Sequence, residues 1–280
     1  MGQIPRCLPI LLALLAALGG ACGPAGGRGA PGEGVECAPV PKATGWVIAG
    51  SGSNITPMRA LLRAWRPGED VQLPESLGTG GAVAALVDGA IDIGLASRPL
   101  SEAERATGVK EHPLARSPIG LLRQMRRAGS GLTLEDLIAT LDGEPRAWAD
   151  GTPVTPLLRE KGDSGARVVA AAFPALGAAM ERARQARRWP VLWTDQEMAD
   201  ALVSVDGAVG FLDLGIVRLD RLPLSEVRIG RDLLAKQLAL LTHPRTRGRD
   251  PRTEQLLYFA AGQRAEGLLI QAGYLPAVER

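Results

Sequence analysis

Three times in this sequence a short apolar run ends in a cluster of glycine and hydroxyl residues and then gives way to a helical pattern. The clusters are Ser51-Gly52-Ser53-Asn54, Gly78-Thr79-Gly80-Gly81 and Asp163-Ser164-Gly165-Ala166. Residues 46–49 read as the strand before the first cluster. After it, Pro57 opens a helix whose Met58, Leu61, Leu62 and Trp65 share one face. Residues 71–73 and 91–95 read as strands around the second cluster, which opens a helix through Val87. Residues 154–158 read as the strand before the third, whose helix runs through Phe173. Such alternation constrains the chain to an α/β fold with a largely parallel sheet.

The remaining pattern divides this α/β body in two. Residues 119–122 read as a crossing strand. Thr133 is the N-cap of a helix over 133–141, with Asp136 three residues on, close to a capping box. A helix over 196–203 and a strand over 208–212 follow. Residues 238–242 read as a strand returning toward the first lobe, and 253–272 as one long terminal helix. The expected organisation is a lobe built from residues 45–117 and 216–280, interrupted by a second lobe at 118–215. Two crossings, near 118 and near 215, make a hinge with a cleft.

Each cluster is suited to a negatively charged guest. Helix N-termini carry unpaired N–H groups and a partial positive charge. Glycine admits a ligand close to the backbone, and serine and threonine add hydroxyl donors. Three such ends meeting across a cleft would make a dry site for a tetrahedral anion. None of them has the Gly-x-x-x-x-Gly-Lys-Ser/Thr spacing of a nucleotide phosphate loop, and none continues as a dinucleotide fingerprint.

Composition removes other classes. A net charge of +2 lacks the basic surplus of a nucleic-acid binder, and 4% aromatics leaves no evident stacking platform. His112 and His243 each sit beside a proline and read as turn residues; with three cysteines they give no metal-ligand spacing. There is no Gly-x-Ser-x-Gly elbow and no triad arrangement. Neither enzymatic activity nor a cofactor is expected.

The first 21 residues read as a signal peptide: Arg6, an apolar run over 8–18 broken only by Pro9, then Gly19-Gly20-Ala21 before Cys22. The run is too short to span a bilayer. Small residues followed by Cys22 resemble a bacterial lipobox, with Gly19 where leucine is usual; the resemblance implies a lipid on Cys22. Ordinary cleavage after Ala21 is the alternative, and Cys22 and Cys37 could then close a small disulfide loop. Residues 22–44, rich in Gly and Pro, read as a flexible tether.

Over residues 45–278 the chain resembles the phosphate-binding proteins of ABC importers, two-lobed type II periplasmic solute-binding proteins. Gly50-Ser51-Gly52-Ser53 is similar to the family's first ligand loop and Ser76-Leu77-Gly78-Thr79-Gly80-Gly81 to its second. The segment 92–100 (Asp92 to Leu100) is similar to one bordering the site. Arg159 with Asp163-Ser164-Gly165-Ala166-Arg167 resembles the Arg…Ser-Gly-Thr loop of the second lobe. Gly207-Ala208-Val209-Gly210-Phe211 and Ala272-Gly273-Tyr274-Leu275-Pro276 also fit.

The resemblance implies ligand contacts from Ser51, Ser53, Asn54, Thr79, Gly80, Ser97, Ser164, Gly165 and the backbone of Ala166. Arg159 would supply a charge-assisted clamp. Arg98 reads either as a ligand or as the partner of a surface carboxylate. Two positions depart from the family: Ser97 stands where phosphate binders place a carboxylate, and Ala166 where they place Thr or Ser. Without the carboxylate nothing repels a fully ionised oxyanion, and one missing hydroxyl weakens binding by about 1–3 kcal/mol.

Other residues read as structural. Asp92 starts a strand and Asp163 caps a helix. Arg182, Arg184, Arg187 and Arg188 form a solvated helix face, and Trp148, Trp189 and Trp193 pack the second lobe. The implied protein is a monomeric, lipid-anchored, extracytoplasmic capturer of phosphate or a similar oxyanion, whose partner is an ABC permease. An accessory or sensor lipoprotein with altered anion binding is the alternative. Cys22→Ser should shift the protein from the membrane fraction to the soluble one; retention in the membrane fraction would contradict the lipid anchor.

Overall fold

The computed structural model describes residues 45–125, 131–230 and 233–277. The segments expected as signal peptide and tether, with Cys7, Cys22 and Cys37, lie outside the described residues. The described residues all belong to one compact unit. Among the described residues no helix is long and apolar enough to cross a membrane.

The first half of the body begins with strand β1 (Trp46–Gly50), helix α1 (Gly52–Trp65), β2 (Val71–Gln72), α2 (Gly78–Asp88) and β3 (Ile93–Ala96). Strand β1 pairs in parallel with both β2 and β3. Along β1, Trp46 and Ile48 join one apolar cluster, with Met58, Leu61, Ile93 and Leu95. Val47 and Ala49 join another on the opposite face, with Ala82, Val83 and Leu86. The strand is buried on both faces, so its apolar run shows no polar alternation.

Helix α3 (Glu102–Ala106) leads into the fifteen-residue strand β4 (Lys110–Gln124). The second half then adds α4 (Leu134–Asp142), β5 (Thr155–Pro156), β6 (Leu158–Arg159), α5 (Ser164–Ala172), α6 (Pro174–Gln185) and β7 (Val191–Leu192). After these come α7 (Asp195–Ser204), β8 (Ala208–Asp213), α8 (Leu214–Leu219) and β9 (Leu224–Val227). Thr133 and Asp136 complete a reciprocal capping box at the start of α4. Leu137, Leu141, Val169, Leu176 and Met180 form one core of this half; Leu157, Met198, Leu202 and Leu212 form the other.

Strand β10 (Leu234–Thr242) returns to the first half, and α9 (Pro251–Ala260) and α10 (Gln263–Gln271) close the chain. The main sheet has the order β2-β1-β3-β10-β4-β8-β5, with β9 also paired to β4, and β6 and β7 form a small separate sheet.

Four features differ from the sequence expectation. The sheet is mixed rather than largely parallel, because β10 runs antiparallel to β3 and β4, and β4 antiparallel to β8. The chain does not return once and for all near residue 215. There α8 meets the first half, with Asp220 Oδ2 accepting from the Thr56 hydroxyl at 3.2 Å and Leu219 packed on the cluster of Trp46 and Ile48, but β9 then pairs with β4 beside Leu121 to Gln124 before β10 makes the final return. The terminal helix is two helices separated at Gly262, the N-cap of α10. Finally, α1 starts at Gly52, five residues before Pro57.

Gly50 carries φ +151°, and a Cβ there would collide with the Leu95 carbonyl of the neighbouring strand. Gly267, inside α10, has open space around it. Gly50→Ala should therefore destabilise the protein by about 1–3 kcal/mol, whereas Gly267→Ala should stabilise it by about 0.5–1 kcal/mol. Urea midpoints that move together in the two variants would contradict this packing.

Candidate functional site

The tight β1 end sets the first loop beside the end of β3. The Ser51 amide donates to the Leu95 carbonyl at 2.9 Å, and the Ser51 hydroxyl donates to Ser97 Oγ at 2.7 Å. Ser76 staples the second loop to the first: its Oγ accepts from the Gly52 amide at 2.9 Å, and the Leu77 amide donates to the Gly50 carbonyl at 2.8 Å. Thr79 Oγ1 accepts from the Ser97 amide at 3.2 Å.

From the second half, Asp163 caps α5 by accepting from the Ala166 amide at 2.7 Å. That sets Ser164 Oγ 2.8 Å from Ser97 Oγ. Serine hydroxyls from three loops, on both halves, thus form one chain, Ser51–Ser97–Ser164.

These residues line a cleft of about 460 Å³, together with Thr79, Gly80, Arg98, Arg159 and Trp193. Beneath it lies a buried charge cluster. Arg159 contacts Asp163 Oδ2 and Asp195 Oδ1, each at 3.2 Å, and donates to the Trp193 carbonyl at 3.0 Å. Asp195 Oδ2 accepts from the Ser53 hydroxyl at 2.9 Å. Ser53 in turn accepts from Lys236 Nζ at 2.6 Å, and Lys236 pairs with Asp213 Oδ1 at 2.9 Å.

Burial works to raise the Asp195 carboxyl, but Lys236 and Arg159 outweigh it and hold the carboxyl below its ordinary range. For Asp213 burial wins: against the pull of Lys236, and helped by repulsion from Asp195, its carboxyl is pushed up to about 6. Burial works to lower Lys236, and Asp213 and Asp195 more than offset it, so the ammonium is held above its ordinary value. The net effect is a charged lysine at neutral pH.

The structure brings Ser51, Thr79, Gly80, Ser97, Arg98, Arg159 and Ser164 to the cleft. Four other sequence candidates do not line it. The Ser53 hydroxyl is engaged by Asp195 and Lys236 below the floor. The Asn54 side chain donates to the Ala96 and Ala239 carbonyls, tying α1 to the sheet. Gly165 lies toward Lys236, and the Ala166 amide is already engaged by its helix cap.

Arg98 lines the cleft while its guanidinium grips Glu104 at 2.7 and 2.6 Å, a contact that pulls Glu104 down to about 2. Trp193, read from sequence as a packing residue, is 69% exposed. Arg167 also lines the cleft and, among the described residues, has no carboxylate partner. Sequence reasoning missed Asp195, Asp213 and Lys236. The one local signal was a lysine set in the apolar stretch Leu233 to Leu241. No group of three or more metal-ligating side chains occurs among the described residues.

A family model for the PBP superfamily domain matches residues 40–257. The chain belongs to the PBP superfamily. Its fold is the type II arrangement of phosphate-binding structures. A phosphate-bound candidate phosphate ABC transporter substrate-binding protein from Clostridium perfringens superposes with TM-score 0.64 at 16% identity, over 84% of this chain and 99% of that one. An ABC-type phosphate transport receptor from Vibrio cholerae gives 0.53 at 18% identity, over 82% and 99%. The fold is shared with regulators: CbnR, a LysR-family transcriptional regulator, gives 0.51 at 18% identity, over 79% of this chain and 69% of that one. By sequence, phosphate-binding protein PstS 2 of Streptococcus agalactiae is 32% identical over 108 residues. That stretch spans 37% of this chain and 36% of the relative's length.

Asp213 binds its proton more tightly in the folded than in the unfolded chain. Its contribution therefore favours folding at low pH and is lost as the pH rises through about 6. Removing Lys236 takes away the opposing charge and strengthens this effect. Lys236→Met should lower unfolding free energy by about 3–5 kcal/mol near neutral pH. The deficit should shrink below pH about 5, where Asp213 is protonated. Equal deficits in urea unfolding at the two pH values would contradict the cluster.

Proposed function

We propose that this PBP-superfamily protein captures a phosphate-type oxyanion in the cleft and delivers it to an ABC permease at a membrane to which the lipid on Cys22 holds it. The observation that carries this reading is the hydroxyl chain Ser51–Ser97–Ser164, contributed by both halves, in one cleft with Arg159 and Arg167. Each hydroxyl can turn its proton toward an entering anion, which then replaces serine–serine bonds with charge-assisted ones. An anion satisfied only by groups from both halves holds the halves together, giving a ligand-bound state that a permease can distinguish from the free one. No chemical step on the ligand belongs to this role.

Selectivity among oxyanions rests on Ser97. A hydroxyl both donates and accepts, so it tolerates protonated and fully ionised guests alike. Sulfate should therefore compete with phosphate. Isothermal titration of the purified mature protein should give saturable phosphate binding. Ser164→Ala should weaken it by about 1.5–3 kcal/mol, and Arg159→Ala by about 2–5 kcal/mol. Unchanged affinity in both variants would locate the anion elsewhere. No binding of any oxyanion would favour an accessory role for the protein.

A further inference from the structure

We propose that the oxyanion carries an organic substituent, as in a phosphate monoester or a phosphonate, and that Trp193 and Leu77 contact that substituent. This rests on the oxyanion reading of the same cleft. Eight large apolar side chains are markedly exposed among the described residues, and Trp193 at 69% and Leu77 at 48% are the two that line the cleft. One comes from the second half and the other from the first. An exposed indole forfeits the burial that most tryptophans find, and here it does so inside a concave site rather than on an open face.

Backbone hydrogen bonds anchor the peptides that carry both side chains. The Trp193 amide donates to Glu197 Oε2 at 2.6 Å, and the Trp193 carbonyl accepts from Arg159 at 3.0 Å. The Leu77 amide donates to the Gly50 carbonyl at 2.8 Å. The indole is therefore mounted through its own peptide on the guanidinium of the charge clamp. A ligand whose head engages the clamp holds its substituent beside the ring.

Size and charge agree with a substituted anion. At about 460 Å³ the cleft lies in the range of small organic ligand sites, roughly 300–1,000 Å³, of which an inorganic tetrahedral ion fills a minor part. A monoester is largely a dianion at neutral pH, with its second pKa at about 6. Such a dianion has no proton to offer a carboxylate, and the hydroxyl of Ser97 serves it as a donor.

Titration calorimetry and intrinsic tryptophan fluorescence on the purified mature protein test this, with inorganic phosphate and phenylphosphonate as probes. Phenylphosphonate should bind about tenfold more tightly than phosphate and change the tryptophan emission. Trp193→Ala should abolish that preference, and Trp193→Phe should keep most of it; because the side chain is exposed, a melting curve should match wild type. Phosphate binding with phenylphosphonate excluded, or a preference unchanged in Trp193→Ala, would overturn the substituent while leaving the oxyanion reading intact. Binding of neither probe would overturn both.

Discussion

The cleft stands on one buried line of charge: Arg159 to Asp195, Asp195 through Ser53 to Lys236, and Lys236 to Asp213. Its members come from β6, α7, α1, β10 and β8, so the line runs from the second half into the first and along a crossing strand. Charges taken out of water are tolerable only while paired and hydrogen-bonded. Drawing α1 away from α7 would leave Asp195 short of the Ser53 hydroxyl and Lys236 short of its oxygen contact. The same bonds that fix the two halves therefore fix the distance between Arg159 and the serine chain above it.

A cleft founded in this way is charged yet largely self-neutralised. Arg159 faces two carboxylates and Arg98 grips a third, so much of their charge is offset and the hydroxyl dipoles and the exposed Arg167 join Arg159 in meeting an anion. Binding by dipoles placed in advance needs little reorganisation, provided that the loops carrying them are rigid. The Ser76 staple and the Asp163 cap provide that rigidity, each by satisfying backbone amides that would otherwise be unpaired at a helix start.

The parts of this arrangement legible in the sequence are those with local chemistry. Glycine–hydroxyl clusters at strand ends located the loops, and Thr133 with Asp136 located the start of α4. The long β4 was read only over residues 119–122, because Pro113 and Pro118 look like strand breakers; Pro113 in fact sits where the β4–β10 register shifts, a place where a strand tolerates proline. Gly262 reads as an ordinary glycine within a helical pattern and is instead the cap between two helices. Asp195, Asp213 and Lys236 meet only in three dimensions, so no spacing announces them. Which amides face the cleft was equally out of reach: the Ala166 amide and the Ser53 hydroxyl lie within the recognised motifs but are already engaged by Asp163 and by the charge line.

The most direct measurement is a crystal structure of the mature protein grown with phosphate. Anion oxygens should lie within hydrogen-bonding distance of the Ser51, Ser97 and Ser164 hydroxyls at once, with the Ser97–Ser164 contact opened to admit them. Phosphate density outside the cleft, or a cleft with its serine chain unchanged at saturating phosphate, would contradict an oxyanion held jointly by the two halves.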